Sequence, residues 1–286
     1  MSVSDTLVQH GGSSGGPTWL VLGGGGLKGL AHVGAWRALT EAGLRVDGIV
    51  GTSIGALVGA LISAGVGWRD LAELARAVRK EDIVRVNRRA VWINGIRQTS
   101  VFRGDTLREY LDDVLPSAGW AGLSLPLQIN AVDLASGATE WFGAGARQDV
   151  SLVDAVYASS ALPVFYPPAR LDGGVFVDGG AEWPLALDRA GALGAGRIIA
   201  VDVGAGERAD PEKILSQGML AVHQRIFAMM TWRARRDVVS AWTGVPLLFV
   251  RPPLGRYDTF DFDNVEYFLD AGYTEMREAL QREVTS

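Results

Sequence analysis

Gly51-Thr52-Ser53-Ile54-Gly55 fits the pattern G-x-S-x-G and stands between a short apolar run and a stretch of helical periodicity. A serine in a sharp strand-to-helix turn exposes its hydroxyl as a nucleophile with the helix N-terminus behind it. Gly51 and Gly55 relieve the crowding of such a turn. A glycine-rich packing turn is the plainer reading, but the strand-turn-helix setting favours the nucleophile. A serine hydroxyl is weak alone and requires a base within hydrogen-bond reach. The three histidines serve poorly: His10 lies in a polar leader, His32 falls one turn into the first helix, and His223 sits among Met219, Leu220, Ile226 and Phe227 like an ordinary helix residue. A carboxylate kept from water accepts a proton more readily. Asp178, in FVDGG, ends a strand and is followed by Gly179 and Gly180, which permit a sharp turn. Asp172 repeats the Asp-Gly-Gly tripeptide but reads as a solvent-facing hairpin turn.

A second candidate is the run Gly23 to Gly26 with Lys28 and Gly29, between the apolar WLVL and an amphipathic segment. Glycines at a strand-to-helix turn bring backbone N–H groups close to an anion. That anion is either a phosphate or the oxyanion of a reaction intermediate, and local pattern alone leaves both open.

The elements that must position these residues follow from periodicity. Strands at 19–22 and 47–51 alternate with helices at 27–42, 54–65 and 68–79, the order of parallel strands faced by helices. Residues 80–104 show no firm period. A helix follows with Asp105 as its expected N-cap, then a hairpin turning at Ser136–Gly137 and a helix stopped by Pro163. A second hairpin turns at Asp172–Gly173. The strand RIIAV, one long helix from Pro211, the strand PLLFV and a closing helix over 264–281 complete the chain. Asp133, Asp154 and Asp202 read as turn and cap residues.

Composition narrows the function. The 286 residues are 48% hydrophobic with a net charge of −5, so nothing marks a nucleic-acid-binding surface. There is no cysteine, which excludes disulfides, thiolate metal sites and a cysteine nucleophile. The leader lacks the basic and apolar regions of a signal peptide. Residues 1–16 are expected to form a flexible tail, residues 17–286 one domain, and the default location is cytoplasmic. The uncharged stretch from Gly48 to Trp68 imitates a membrane span, but its β-branched start and glycine-bracketed serine suit a strand, a turn and a buried helix.

Four motifs in order, GGGGLKG (23–29), GTSIG (51–55), SSALPVFYPP (159–168) and DGG (178–180), closely resemble the patatin-like phospholipases, in particular their bacterial members. The resemblance runs from about Leu20 to the closing helix with its DAGYTEM. It implies a three-layer α/β/α fold with a mainly parallel central sheet and a serine acyl hydrolase acting on lipid esters. In that family pattern Ser53 is the nucleophile and Asp178 the base. Gly24, Gly25 and Gly26 form the oxyanion hole, with Lys28 at the family's basic position. Gly29, Gly51, Gly55, Gly179 and Gly180 support the motifs. Plant-type members carry an aspartate where Gly23 stands. No metal, cofactor or calcium-binding lipid domain is implied.

The glycine run then favours the oxyanion. Gly24-x-Gly26-x-x-Gly29 also fits a dinucleotide fingerprint, but its ribose-binding acid belongs at the end of the second strand, whereas Asp47 begins it. A Walker loop fails because Gly29 follows Lys28. Expected partners are a lipid or other acyl ester and, peripherally, a membrane. Val84 to Phe102 reads as a lid or interfacial loop through Arg85, Arg88, Arg89, Val91, Trp92, Ile93 and Arg97, and equally as a solvated loop. Phe227, Met229 and Met230 read as an acyl-channel wall, as packing or as a dimer contact. Rival functions are a short-chain carboxylesterase or acyltransferase with the same dyad, and a noncatalytic lipid-binding protein.

Overall fold

The computed structural model describes residues 7–9, 15–86, 98–204 and 209–285. Nine strands form one sheet: β1 (Leu7–Gln9), β2 (Thr18–Leu22), β3 (Gly48–Gly51), β4 (Leu127–Asp133), β5 (Thr139–Gly143), β6 (Ala169–Leu171), β7 (Gly174–Asp178), β8 (Arg197–Val201) and β9 (Leu247–Val250). The strands β9, β8, β2, β3 and β4 are parallel to one another and adjacent in that order. β1 joins β9 antiparallel at one side, β5 and β7 pair antiparallel with β4, and β6 pairs antiparallel with β7.

The apolar runs of the parallel strands are nearly continuous because both sheet faces are covered. Alternate residues divide between two cores: Leu20, Leu22, Ile49, Ile199, Val201 and Leu248 face one, while Trp19, Val21, Val50, Ile198, Ala200 and Leu247 face the other. The first and larger core is closed by α1 (Ala31–Glu41), α2 (Ile54–Ser63), α3 (Trp68–Ala77), α5 (Gly104–Val114), α6 (Leu152–Ser160) and α10 (Val265–Thr285), with the short α4 (Lys80–Ile83) at its margin. The second is closed by α7 (Leu187–Ala192) and, through Val239, by the end of α9 (Met219–Ser240). The result is the expected three-layer α/β/α arrangement.

Most expected elements form within two or three residues of their sequence bounds, and several differ for identifiable reasons. The first helix begins as a 3₁₀ turn over Gly26–Leu30 before α1. The helix at 104 starts two residues earlier than expected, with Arg103 as N-cap; Asp105 lies in the first turn, ion-paired with Arg103, where the helix dipole favours a carboxylate. The long helix from Pro211 is broken into α8 (Pro211–Ser216) and α9 by Gly218, which takes φ +81°. Within the expected tail, Leu7–Gln9 pair with β9 as an edge strand. The expected interfacial residues Arg88, Arg89, Val91, Trp92, Ile93 and Arg97 lie outside the described residues. Among the described residues no helix is long and apolar enough to cross a membrane. The uncharged stretch 48–68 divides into β3, a turn, α2 and the start of α3.

The closing helix α10 crosses α1 with backbones in near contact. A β-carbon at Gly34 would lie 1.9 Å from the Leu269 carbonyl oxygen, and one at Gly272 would lie 1.9 Å from that of Ala31. Neither neighbour is a side chain able to swing aside. Gly34→Ala or Gly272→Ala must part the helices and should cost about 1–3 kcal/mol, the usual penalty of overpacking. Urea unfolding reads this as a lower midpoint, while Gly15→Ala, with no atom within 4 Å of the new carbon, leaves it unchanged.

Candidate active site

β4 has three partners and only two edges. β5 pairs with Gln128 to Val132 and so occupies one edge. β3 pairs with Leu127 to Ile129, and β7 with Ala131 to Asp133, so these two share the other. β3 runs parallel to β4 and β7 antiparallel, so their C-terminal ends point at each other. Gly51 stops opposite Ile129 and Asp178 opposite Ala131, with Asn130 in the gap. This brings the serine turn and the aspartate together although 125 positions separate them.

Asn130, fully buried, holds both ends. Its Oδ1 lies 2.9 Å from the Thr52 hydroxyl, and its Nδ2 donates to the carbonyls of Gly179 at 3.0 Å and Trp183 at 3.3 Å. The Thr52 hydroxyl also lies 3.0 Å from the Trp183 carbonyl and donates to one acceptor at a time.

Ser53 takes φ +56° and ψ −123°, a conformation that costs a residue with a side chain on the order of 1–3 kcal/mol. Its surroundings impose it. The Ser53 N–H donates to the buried Ser159 hydroxyl at 2.9 Å, and the Thr52 N–H to the Leu22 carbonyl at 3.0 Å. Helix α2 then starts against β2, where a β-carbon at Gly55 would lie 2.2 Å from the Leu22 oxygen. The Ser53 Oγ donates to Asp178 Oδ2 at 2.7 Å, and among the described residues it bonds no histidine. The other carboxylate oxygen accepts the Gly180 N–H at 2.7 Å. Asp178 is almost wholly buried, and desolvation raises its pKa from 3.8 to about 6 against the hydrogen bonds from Gly180 and Ser53. Asp172 faces solvent in its hairpin, as its sequence context predicts.

The glycine run passes over this pair. A β-carbon at Gly24 would stand 3.3 Å from that of Ser53, and one at Gly25 would meet the Val203 carbonyl oxygen at 2.6 Å. The loop is tied at both ends. Gly23 N–H donates to Val201, Gly24 N–H to Pro184 and Leu27 N–H to Thr259. Buried His32, its pKa lowered to about 4 by desolvation and therefore neutral, donates from Nε2 to the Gly23 carbonyl at 2.8 Å. Among the described residues the N–H groups of Gly25 and Gly26 have no acceptor. Gly24, by contrast, already spends its own on Pro184.

Lys28 is buried in the 3₁₀ turn, its ammonium donating to the Tyr257 carbonyl at 3.2 Å. Desolvation first, then Arg235, lower its pKa to about 8 against the pull of Asp258, Asp202 and Asp261. Asp202 does more than cap a strand. It is buried between Arg235, at 3.1 Å, and Arg251, at 3.6 Å, and accepts the Gly204 N–H at 2.9 Å. Asp133 matches its turn reading by holding the 133–137 turn, whereas the cap of α6 is Ser151, whose hydroxyl accepts the N–H of Asp154 in the first turn at 3.0 Å.

A cavity of about 180 Å³ opens beside Ser53, Asp178 and the glycines. Its walls are largely apolar, with Leu57, Leu61, Leu74, Phe165, Phe227 and Phe260 among them. Phe227 therefore lines the cavity as the channel reading expects, whereas Met230 points outward and is exposed. Among the described residues no group of three or more His, Cys, Asp or Glu side chains could hold a metal ion.

The family model of the patatin-like phospholipases matches residues 20–187, which carry the glycine run, the serine turn, the 159–168 segment and Asp178. The chain belongs to the patatin-like phospholipase family. Its relatives include fungal, human and mycobacterial proteins. The chain is 29% identical to lysophospholipase nte1 of Emericella nidulans, over 92% of this chain and 18% of that protein. It is 28% identical to human patatin-like phospholipase domain-containing protein 6, over 89% and 19%. An NTE family protein of Mycobacterium bovis is 32% identical over 68% of this chain and 51% of its own length. The chain thus spans about a fifth of the fungal and human proteins and half of the mycobacterial one. Among solved structures, VipD from Legionella pneumophila is similar at a TM-score of 0.49 and 14% identity, covering 93% of this chain and 67% of that one. Human GIVD cytosolic phospholipase A2 is similar at 0.46 and 12%, covering 94% and 59%.

Asn130, Ser159 and His32 are the site residues that motif reading leaves without a role. Ser159 lies inside a quoted motif, and Asn130 is a polar residue in mid-strand, which is itself a signal because such a group must find partners when buried.

Since the folded-state pKa of Asp178 lies above its unfolded value, its contribution to stability is fully present below about pH 4 and lost as pH rises through about 6. Asp178→Asn should therefore be more stable than the wild type by about 1–3 kcal/mol at pH 8 and nearly equal to it at pH 4. Thermal melts at the two pH values check this; a variant less stable at pH 8 would mean that the carboxylate's hydrogen bonds outweigh its desolvation.

Proposed function

We propose that the chain is a lipid acyl hydrolase in which Ser53 is the nucleophile and Asp178 the sole base, within one domain that takes in residues 17–286 and the edge strand Leu7–Gln9. The observation that carries the reading is the 2.7 Å hydrogen bond from Ser53 Oγ to a desolvated carboxylate, at the end of an apolar cavity and beneath two unengaged amides.

In the proposed reaction Ser53 Oγ attacks the ester carbonyl carbon and its proton passes to Asp178. The carbonyl oxygen becomes the oxyanion of a tetrahedral intermediate. The N–H groups of Gly25 and Gly26 are the donors placed to receive it, because that of Gly24 is committed to Pro184. Collapse breaks the ester C–O bond, and Asp178 returns the proton to the leaving alkoxide. Water then attacks the acyl-enzyme, giving its proton to Asp178, and Ser53 departs with that proton as the fatty acid is released. A pKa of about 6 suits a group that must alternately accept and return a proton near neutrality.

The cavity supports a chain-bearing acyl group over a small one, since its walls beyond Ser53 are largely apolar. A relative named lysophospholipase makes a single-chain phospholipid the first natural substrate to test.

The test measures hydrolysis of p-nitrophenyl esters from acetate to palmitate by folded variants. Ser53→Ala and Asp178→Asn should each lose at least about 10⁴-fold in kcat, as linked catalytic groups do. Gly25→Ala, which must shift against the Val203 carbonyl and misplace the donor, should lose about 10²–10³-fold. Wild-type kcat/KM should fall as pH drops through about 6. Preference for long chains supports the lipid reading, preference for acetate supports a small-ester esterase, and activity surviving in Asp178→Asn would remove the dyad.

A further inference from the structure

Helix α9 is apolar on two sides. Its inner side reaches the cavity through Phe227 and Thr231 and is pinned by Arg235 to buried Asp202. Its outer side carries Met219, Ile226 and Met230, exposed at 80%, 48% and 62%, at spacings of seven and four that place them on one face. Leu215 of α8 is exposed as well, so four of the seven large apolar side chains exposed among the described residues lie between positions 215 and 230.

Charge separates the possible occupants of this face. From Met219 to Arg236 the chain has four arginines, Arg225, Arg233, Arg235 and Arg236, and no acid. Arg235 is neutralised inside by Asp202, and Arg236 pairs with Asp237 at the surface. Arg225 and Arg233 remain beside the apolar stripe, and Asp210, Glu212 and Asp237 lie beyond its ends. A protein whose net charge is −5 thus presents a locally basic, methionine-rich helix face that backs onto its own cavity. A second copy would bring arginine against arginine if it used the same patch in a two-fold contact. An anionic lipid surface satisfies both the apolar and the basic groups, and the helix is not apolar enough to span it.

We infer that the outer face of α9 is a membrane-docking surface for anionic lipid, lying in the interface with Met219, Ile226 and Met230 in the acyl region and Arg225 and Arg233 at the headgroups. This deepens the lipid-hydrolase reading, because docking there sets the cavity wall at the lipid surface.

The test uses full-length Ser53→Ala, which cannot consume the lipid, sedimented with vesicles of phosphatidylcholine alone or mixed with phosphatidylglycerol. Binding should favour the mixed vesicles. Adding Ile226→Glu and Met230→Glu should lower partitioning on the order of 100-fold. Adding Arg225→Gln and Arg233→Gln should lower it roughly fivefold per arginine and remove the lipid preference. With Ser53 restored, the Glu variant should hydrolyse a soluble short ester at the wild-type rate and keep the wild-type circular dichroism. Undiminished vesicle binding by the Glu variant overturns the inference. So does a wild-type dimer that the Glu substitutions split, with no vesicle binding, since the face then belongs to a second copy. If vesicle results hold while no protein hydrolyses any ester, the docking surface stands and the Ser53–Asp178 reading falls.

Discussion

The site depends on a shared edge. β3 and β7 approach each other along one side of β4 and stop one residue apart, and the side chain of Asn130 bridges the gap. Neither strand end has a further ladder partner there, so the Asn130 amide takes over hydrogen bonds that a continuous strand would have made. The serine turn and the aspartate are consequently fixed to the same rigid strand, and a 2.7 Å contact between them needs no mobile loop. A site built on strand ends in this way holds its geometry more closely than one built on loops. The strained backbone of Ser53 belongs to the same arrangement: Ser159 holds its amide from one side while α2 and β2 press together on the other.

Burial sets the protonation of the groups around this contact. Asp178 is pushed up and His32 down, both mainly by loss of water. The first change raises the carboxylate's affinity for a proton, and the second keeps an imidazole neutral so that it serves as a fixed donor to Gly23. Lys28, Arg235, Asp202 and Arg251 form a buried charged group on the far side of the glycine run. Such a group contributes little net stability against hydrophobic packing, but removal of one member leaves an uncompensated charge. It packs against Gly204, where a β-carbon would meet the Arg235 guanidinium, next to the Val203 carbonyl that a β-carbon at Gly25 would strike.

The same charged group joins site and surface. Arg235 anchors α9 beneath the glycine run, so the helix that walls the cavity cannot rotate freely, and its outward residues keep a fixed relation to Ser53. Gly218 separates α9 from α8 and lets it take its own direction across the cavity. At the opposite side, the contact of Gly34 with Leu269 and of Gly272 with Ala31 binds the end of the chain to the helix that follows the glycine run.

Much of this was legible in order of sequence. Ser53 and its turn are visible because strand, glycine-bracketed serine and helix are contiguous, and local sterics determine such a turn. The strands are visible because burial on both faces demands continuous apolar runs, and the hairpins because Asp172–Gly173 and Ser136–Gly137 carry turn chemistry. The break at Gly218 and the pairing of Leu7–Gln9 with β9 escaped, the one because a lone glycine is tolerated within helices, the other because strand pairing depends on a distant partner. By itself the sequence determined most of the elements, the glycine-bracketed serine turn and the glycine run between strand and helix. Only the tertiary structure decided that Asp178, which its sequence context had already singled out over the histidines, meets Ser53 at 2.7 Å, that Gly25 and Gly26 rather than Gly24 keep open amides, and that Asn130 joins the two strand ends. Those facts rest on hydrogen bonds between residues far apart in the chain, and no local spacing encodes which distant group will arrive to accept a given hydrogen bond.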